Sequence, residues 1–349
     1  MSTGLLESLA AQFKFFAQEC EDLNAPLYKS LSRAVSQDPE ILRLSLGARG
    51  GQPVPNLFFA GVRFLLLKGV GHELGNIYRD AREGASPDYA SSFSCFKSFC
   101  LEHKHELKEL INSRLVQTNV PGRCTYLMPV FDHVWRLSKR TPLITIEIGS
   151  SAGLNLLWDH YKYVYSDGNR YGDPRSDVSL NCEFRGSKKP AISGELNNVF
   201  CRAGIDLSPI DLMDAEDSSW LQALVWPERG EEEGILTRAI EIARLNLHKF
   251  DLYEGDAVKV LPDILKSLPR EGILCLFDTH VMNQFSPESR DELSWILAKE
   301  SKNRKIYWVS VGGLSVPAEM KLTEMKNGNR HEILLGYSDA HGRWMEWIR

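Results

Sequence analysis

The sequence lacks several features that would point to a particular class of protein. None of its seven scattered cysteines forms a Cys-x-x-Cys pair, and an odd number of thiols does not suit a disulfide framework. The nine histidines show no ligand spacing such as His-x-x-x-His, so no metal site is predicted. There is also no internal repeat and no low-complexity segment. These absences exclude a small disulfide-bonded scaffold, and they favour a reducing compartment in which most thiols are core residues.

The chain also lacks an excess of positive charge and a long apolar run. Its 46 acidic and 41 basic residues give a net charge of −5, which provides no general attraction for nucleic acid or anionic lipid. The most apolar segment, Leu57 to Leu67, is too short to span a bilayer and is interrupted by Arg63. Residues 1–16 contain acidic and polar side chains where a signal peptide has a basic end. We therefore expect a cytoplasmic protein whose partner is a small molecule, and its oligomeric state stays open.

The amino-terminal part of the chain has helical periodicity. With 349 residues, 43% apolar and 25% charged, the chain is long enough for two domains. Apolar residues such as Leu9, Phe13 and Phe16 recur every three or four positions, which is typical of one face of a helix. No alternating strand pattern occurs before Leu143. We predict an all-helical region over residues 1–135 that forms a lid or a substrate wall.

From Thr141 onward, short β-branched and aromatic runs alternate with amphipathic segments, which predicts a mostly parallel sheet with helices on both faces over residues 136–349. The predicted strands are Leu143 to Ile148, Val178 to Phe184, Val199 to Ile205, Phe250 to Glu254, Ile273 to Phe277 and Lys305 to Val311, with a closing hairpin of residues 331–337 and 343–348. The predicted helices are Leu154 to Tyr165, Trp220 to Pro227, Gly234 to Leu247, Val258 to Leu268 and Pro287 to Lys299.

One segment of this region does not fit the alternating pattern. Residues 166–195 are rich in Gly, Asp, Pro, Asn and Lys and contain a single strand candidate. A loop of this length inside a compact domain usually has a function. We interpret it as an insertion that folds over a ligand, and Tyr171 within it is a candidate substrate contact.

The most informative stretch is a buried strand that runs into a glycine-rich turn and then into a helical segment. Gly149 and Gly153 permit a close approach of the backbone to a ligand, and amides at a helix start favour polar or anionic groups. In an open parallel sheet, ligands bind beyond the carboxyl ends of the strands. The candidate cofactor-binding residues of this stretch are Glu147, Gly149, Ser151, Gly153 and Asn155.

Three further acidic residues end later strands. Asp206, Asp256 and Asp278 come after the predicted strands Val199 to Ile205, Phe250 to Glu254 and Ile273 to Phe277. Parallel strands would deliver all three carboxylates to the same edge of the sheet. Carboxylates accept hydrogen bonds from ribose hydroxyls and from an adenine amino group, so the pattern predicts a nucleotide-like ligand.

These motifs together resemble the Rossmann-like class I S-adenosylmethionine-dependent methyltransferases. The resemblance implies a seven-stranded, mostly parallel sheet and S-adenosylmethionine as cofactor. It implies that Glu147, Gly149 and Gly153 lie near the methionine part of the cofactor. It assigns Asp206 to the ribose and Asp256 to the adenine.

The sequence departs from the methyltransferase pattern at two points. Ser151 occupies the place of the usual central glycine, and about fifty residues separate Gly153 from Asp206 where about twenty are usual. A second resemblance covers nearly the whole chain, to an uncharacterised bacterial family, domain of unknown function 2332. It rests on the stretches PVPNLFFAGVRFLLL, VQTNVPGRC, EIGSSAGLNLLWD, RYGDP, GIDLSPIDL, LVWPE and EGDA.

The remaining candidates surround the predicted cofactor. Asp278 and His280 come directly after the predicted strand Ile273 to Phe277 and are candidates for proton removal from a methyl acceptor. No Asn-Pro-Pro-aromatic tetrad of the nucleic-acid amino methyltransferases follows that strand, so a small polar acceptor is expected. The candidate substrate-binding residues are Gln117, Asn119, Arg123, Tyr171 and Thr279.

Two other functions remain open on the sequence alone. Residues 149–153 also satisfy Gly-x-Ser-x-Gly, the nucleophile elbow of α/β-hydrolases, with Ser151 as the nucleophile of an esterase. That fold places several strands before the elbow, whereas the pattern before Leu143 is helical. A non-catalytic nucleotide-binding sensor or partner protein would have the same fold without the chemistry.

Overall fold

A computed structural model describes residues 3–85, 89–195, 199–312 and 317–349, and the fold divides into two compact units. The first comprises Met1–Thr118 and Asp214–Gly234, and we call it the helical unit. The second comprises Asn119–Met213 and Ile235–Arg349, and we call it the sheet unit. The helix Cys124–Leu137, which the sequence pattern groups with the amino-terminal helices, belongs to the sheet unit.

The helical unit contains no strand within its described residues, as the periodicity predicts. Its core is aromatic: Phe13 and Phe16 of the first helix and Phe58 and Phe59 of the fourth are buried, with ring centroids 5.9–6.0 Å apart. The helices, labelled in chain order through both units, are α1 (Thr3–Asp22), α2 (Pro26–Val35), α3 (Pro39–Leu42), α4 (Val54–Leu67), α5 (Leu74–Arg82), α6 (Ser92–Glu102), α7 (Lys104–Ser113) and, after α8 of the sheet unit, α9 (Ala215–Ala223).

The sheet unit combines eleven strands with helices. Its helices are α8 (Cys124–Leu137), most of α10 (Gly230–Leu245), α11 (Ala257–Ser267) and α12 (Pro287–Glu300). Its strands are β1 (Leu143–Ile148), β2 (Lys162–Tyr165), β3 (Arg170–Gly172), β4 (Ser179–Arg185), β5 (Val199–Asp206), β6 (Asp251–Glu254), β7 (Ile273–Thr279), β8 (Ile306–Gly312), β9 (Ala318–Lys326), β10 (Asn329–Ser338) and β11 (Trp344–Trp347).

Five central strands are parallel and run in the order β6-β5-β1-β7-β8. Successive strands are added on one side of β1 and then on the other, which is the usual doubly wound arrangement. The strand order reverses between β1 and β7, and a crevice at the carboxyl ends of these two strands is where ligands bind in such sheets. The described residues before Leu143 add no strand to this core.

The complete sheet differs from the seven-stranded, mostly parallel one that was expected. It is a mixed sheet of eleven strands in the order β3-β2-β4-β11-β10-β9-β8-β7-β1-β5-β6. The strands β9, β10 and β11 form an antiparallel meander after β8. In the segment 166–195 the predicted strand is present as β4, which extends the sheet by pairing with β11, and β3 is a further strand that was not predicted.

The predicted helix from Leu154 to Tyr165 is wrong in its second half. A 3-10 helix spans Leu154–His160, and β2 follows immediately. In β2 the side chains alternate between partly exposed and buried, with Tyr163 and Tyr165 inside. Pairing with β4 and burial of these two rings outweigh the local helical spacing.

The two faces of the central strands are covered by different helices. On one face, Ile144, Ile146 and Ile148 pack in an apolar cluster with residues of α11 and α12. On the other face, Phe131 of α8 lies against Phe277 of β7, with ring centroids 5.2 Å apart. Each side chain of β1 and β7 therefore belongs to one of two separate environments. In the described part of the chain, no helix combines the length and the apolar character needed to cross a membrane.

Candidate functional site

The turn after β1 has a backbone conformation that glycine favours. Gly149, Ser151 and Gly153 have φ angles of 71°, 52° and 75°, all in the left-handed region. A Cβ on Gly149 would lie 2.3 Å from Cγ2 of Val281, and one on Gly153 would lie 3.0 Å from Cε2 of Phe250. Both glycines are therefore required by conformation and by packing within the chain itself.

Glu147 is a buried carboxyl group at the end of β1. Its Oε1 accepts a hydrogen bond of 3.0 Å from Nδ2 of Asn155, whose Oδ1 accepts one of 3.4 Å from the Cys124 thiol. Its Oε2 is buried and has no hydrogen-bond partner among the described residues. Burial raises the pKa of Glu147 to about 8, although the bond from Asn155 acts in the opposite direction.

Asp206 connects the end of β5 to the glycine turn. Its Oδ2 accepts a hydrogen bond of 2.8 Å from the Ser151 amide, and its Oδ1 accepts one of 3.0 Å from the Ser208 amide. Glu147 is in register with Gly204, two residues before Asp206, so the two carboxyl groups lie on the same face of the sheet. A side chain predicted to bind ribose therefore also holds the turn in place.

Asp256 follows β6, the strand next to β5. It precedes α11 and caps it, because its carboxylate accepts a hydrogen bond of 3.2 Å from the Val258 amide. The Gly255 amide donates to the Asp206 carbonyl with a length of 2.8 Å, which joins the two strand ends. The three acids predicted to contact a cofactor thus lie at the carboxyl ends of the adjacent strands β1, β5 and β6.

Asp278 lies on the other face of the sheet. Its register partner in β1 is Ile148, which belongs to the face opposite Glu147. Its two oxygens accept hydrogen bonds of 2.8 Å from the Trp308 indole and 3.1 Å from the Ser310 hydroxyl. Burial raises the pKa of Asp278 to about 7. The structure therefore brings Asp278 together with β8 and separates its carboxyl group from those of Glu147 and Asp206.

Thr279, Arg123 and His280 meet at the end of β7. Nη1 of Arg123 donates hydrogen bonds of 3.2 Å to the Thr279 hydroxyl and 3.4 Å to its carbonyl, and Nε donates one of 3.1 Å to the Ala340 carbonyl. His280 has a left-handed backbone with φ of 59°, and its amide donates to the Val311 carbonyl. Burial, reinforced by the Arg123 charge, lowers the pKa of His280 to about 3, so its imidazole is neutral.

The other predicted substrate contacts have different surroundings. Asn119 is buried, and its Oδ1 accepts a hydrogen bond of 2.9 Å from the Leu154 amide, so it supports the turn after β1. Tyr171 lies in β3 at one edge of the sheet, and its ring is 5.9 Å from that of Tyr165. Gln117 belongs to the helical unit.

Several residues of the site were missed by the sequence analysis. Ser150 is fully buried, and its hydroxyl has no hydrogen-bond partner among the residues that the structure describes. Cys124 reaches Asn155 from α8, and Trp308 and Ser310 fix Asp278 from β8. The register of Asp278 with Ser310 puts Ser310 and Trp308 on its face, so a predicted pairing of the two strands could have identified them.

Three buried polar atoms at the ends of β1 and β7 have no partner in the described part of the chain: Oε2 of Glu147, the Ser150 hydroxyl and Nε2 of His280. Buried polar atoms are nearly always hydrogen-bonded, so this set is suited to a ligand that carries hydroxyl or amino groups. No group of three or more His, Cys, Asp or Glu side chains that could hold a metal occurs in the described residues.

Comparison with known families shows one match. Residues 10–347 match the family described as "Uncharacterized protein conserved in bacteria (DUF2332)". The match covers both structural units and extends far beyond the glycine turn. A comparison with curated proteins found no match.

Proposed function

The chain belongs to the DUF2332 family of bacterial proteins, as its sequence motifs predict, and on that premise we propose that it binds S-adenosylmethionine and methylates a small polar molecule. The observation that carries the proposal is the set of three unpartnered buried atoms at the ends of β1 and β7. They lie at the strands where the order of the sheet reverses, which is the usual ligand position in doubly wound sheets.

The residues present suit the methionine and adenosine parts of the cofactor. Oε2 of Glu147 can accept a hydrogen bond from the amino group of the methionine part, whether or not the carboxyl group is ionised. Asp206 at the end of β5 accepts hydrogen bonds from the Ser151 and Ser208 amides, and the methyltransferase pattern assigns the carboxylate at this place to a ribose hydroxyl. Asp256 follows the neighbouring strand, where the methyltransferase pattern has the adenine.

When bound, S-adenosylmethionine supplies an electrophilic methyl group, and the chain has to align an acceptor lone pair with it. Such alignment can contribute about 7–11 kcal/mol to lowering the barrier. His280 is neutral, and with a pKa of about 3 its imidazole is a poor proton acceptor near neutral pH. We therefore assign its Nε2 to orienting the acceptor, and Asp278, whose oxygens are occupied by Trp308 and Ser310, to positioning the end of β7.

Calorimetric titration with S-adenosylmethionine and S-adenosylhomocysteine tests the binding. We expect one site per chain, and we expect Glu147→Gln to weaken binding about tenfold, because the unpartnered acceptor becomes a donor while the bond to Asn155 is kept. Asp206→Asn should have a similar effect. Asp251→Asn is the matched control, since this exposed acid lies at the opposite end of β6.

Four results are informative, and two of them require a further titration with NAD and an assay of methyl transfer. Absence of heat with either compound would refute the proposal, and binding of NAD instead would favour an oxidoreductase. Binding that is unchanged in both Glu147→Gln and Asp206→Asn would place the ligand elsewhere. Binding without turnover on a broad panel of acceptors would favour the non-catalytic sensor.

The esterase alternative has one observation in its favour, the left-handed backbone of Ser151 with φ of 52° in a strand-to-helix turn. Against it, the described residues before Leu143 contain no strand, whereas a hydrolase sheet has several before the elbow. We expect a fluorophosphonate probe to leave Ser151 unlabelled, so that intact-mass spectra show no probe adduct on the wild type or on Ser151→Ala. A probe-sized mass increase that depends on Ser151 would favour the esterase.

A further inference from the structure

The helical unit contains a cavity of about 350 Å³ that is separate from the residues of the proposed methyl-donor site. This volume lies within the range of small-molecule pockets. All of its lining residues belong to the helical unit. The lining combines the end of α4, the loop that follows it, one side of α5, and two residues of the segment 214–234.

Arg63 gives this cavity a buried positive charge. It is 4% exposed, and its Nη2 lies 2.7 Å from Oε1 of Glu233 while its Nη1 donates to the Val225 carbonyl. Apolar residues of similar volume often stabilise a protein as well as a buried ion pair does. An ion pair that also lines a cavity is therefore better explained by ligand binding than by stability alone.

Two further arginines line the cavity from α5. Arg79 and Arg82 are three residues apart, so they lie on the same side of this helix, and both are exposed. Arg79 donates a hydrogen bond of 3.0 Å to the Asn76 side chain, and Arg82 lies 3.9 Å from Oε2 of Glu233. Their remaining guanidinium donors can turn toward a ligand.

The charges on the lining do not cancel. Among the described lining residues, three arginines face a single acid, Glu233. His72 also lines the cavity, and its Nδ1 accepts a hydrogen bond of 3.1 Å from the Leu74 amide. The cavity thus has two positive charges in excess, which favours an anion.

The loop between α4 and α5 contributes two glycines to the lining, beside Val70 and His72, and we call these two glycines the glycine wall. Gly69 and Gly71 line the cavity, and a Cβ added to either would meet no atom within 4 Å. Substituents there would project into open space and not into the protein. A bound molecule can therefore approach the backbone of this loop closely.

From the cavity, its three arginines and its glycine wall, we infer that the helical unit binds a small organic anion through a phosphate or carboxylate group. A planar guanidinium forms paired hydrogen bonds with either group. The buried Arg63 fixes the inner end of the ligand, and Arg79 and Arg82 hold it at the opening. The inference uses none of the residues assigned to the methyl donor, so each proposal can fail without the other.

The test is calorimetric titration of the full chain with inorganic phosphate and, separately, with succinate, each against sodium chloride at equal ionic strength. We expect one saturable site for at least one of the two anions. Arg79→Gln and Arg82→Gln should each weaken it about tenfold, and the double variant about a hundredfold. Arg82→Lys, which keeps the charge but loses the paired hydrogen bonds, should have an intermediate effect.

Arg49→Gln is the control, because Arg49 is an exposed arginine of the same unit that does not line the cavity. It should leave the affinity unchanged. Saturation by phosphate alone supports a phosphate-bearing ligand, and saturation by succinate alone supports a carboxylate. A wild-type response to both anions that equals the response to chloride overturns the inference. Undiminished binding in a folded Arg79→Gln/Arg82→Gln variant also overturns it, because the anion then binds another surface.

Discussion

Replacing Arg63 with methionine is expected to lower the free energy of unfolding of the helical unit by about 3–5 kcal/mol. Methionine fits the buried, apolar surroundings of α4 and preserves helix propensity. The substitution leaves the carboxylate of Glu233 buried without the guanidinium 2.7 Å away, and it removes the donor to the Val225 carbonyl. Urea unfolding, followed through hydrogen exchange of α4 peptides, measures the loss.

Two comparisons identify the cause of that loss. Adding Glu233→Gln to Arg63→Met should restore about half or more of the lost stability, because the uncompensated charge is then gone. Arg33→Met is the matched control, since Arg33 forms an ion pair with Glu21 on the surface and its loss should cost less than about 1 kcal/mol. If the double variant is as unstable as Arg63→Met alone, packing and not charge is responsible.

The elements that the sequence predicted well are those with a strong local pattern. The central strands β1, β5, β7 and β8 are short runs of apolar and β-branched residues, and because both faces are covered they are buried almost throughout, apart from the first three residues of β5. The helix α12 begins at Pro287 after the cap Ser286, whose hydroxyl accepts a hydrogen bond from the Ser289 amide. In such segments the local preference and the tertiary environment agree, so local reasoning is sufficient.

The elements that were missed depend on pairing with distant strands. In β9 the residues Ala318, Met320 and Leu322 are buried, while Glu319 and Lys321 between them are partly exposed. This alternation is typical of a strand, but the charged residues of β9 weaken its apolar pattern. The strands β2 and β3 are only four and three residues long, and their hydrogen bonds come from each other and from β4. These two strands therefore form because they pair with neighbouring strands, and local propensity does not specify them.

For the candidate site, the placement of the acidic residues at strand ends was easier to predict than the contacts that their carboxyl groups make. That Glu147, Asp206 and Asp278 end parallel strands followed from the strand pattern, and the structure has each of them at such an end. The separation of Asp278 onto the opposite face depends on the register of β7 against β1, which no local pattern specifies. The hydrogen bonds of Asn155 to Glu147 and of Trp308 to Asp278 join different elements, so no local pattern specifies them.

The buried carboxyl groups Glu147 and Asp278 are expected to make the sheet unit less stable as the pH rises from 5 to 8. Burial raises the pKa of Glu147 from 4.5 to about 8 and that of Asp278 from 3.8 to about 7. Between these limits the folded state binds more protons than the unfolded chain, so the free energy of unfolding falls with increasing pH. The loss is complete above the folded pKa and absent below the unfolded one.

The variants Asp278→Asn and Glu147→Gln, which remove the ionisable group and nearly preserve its shape, should therefore gain stability relative to the wild type over this range. From pH 5 to 8 we expect a relative gain of about 3 kcal/mol for Asp278→Asn and about 4 kcal/mol for Glu147→Gln. Asp263→Asn, at an exposed acid of α11, should follow the wild-type profile. Urea unfolding at several pH values, read by pulsed hydrogen exchange in β1 and β7, gives these differences. Parallel profiles for the wild type and both buried variants would mean that the two carboxyl groups ionise without cost, through access to water or through cations that approach them.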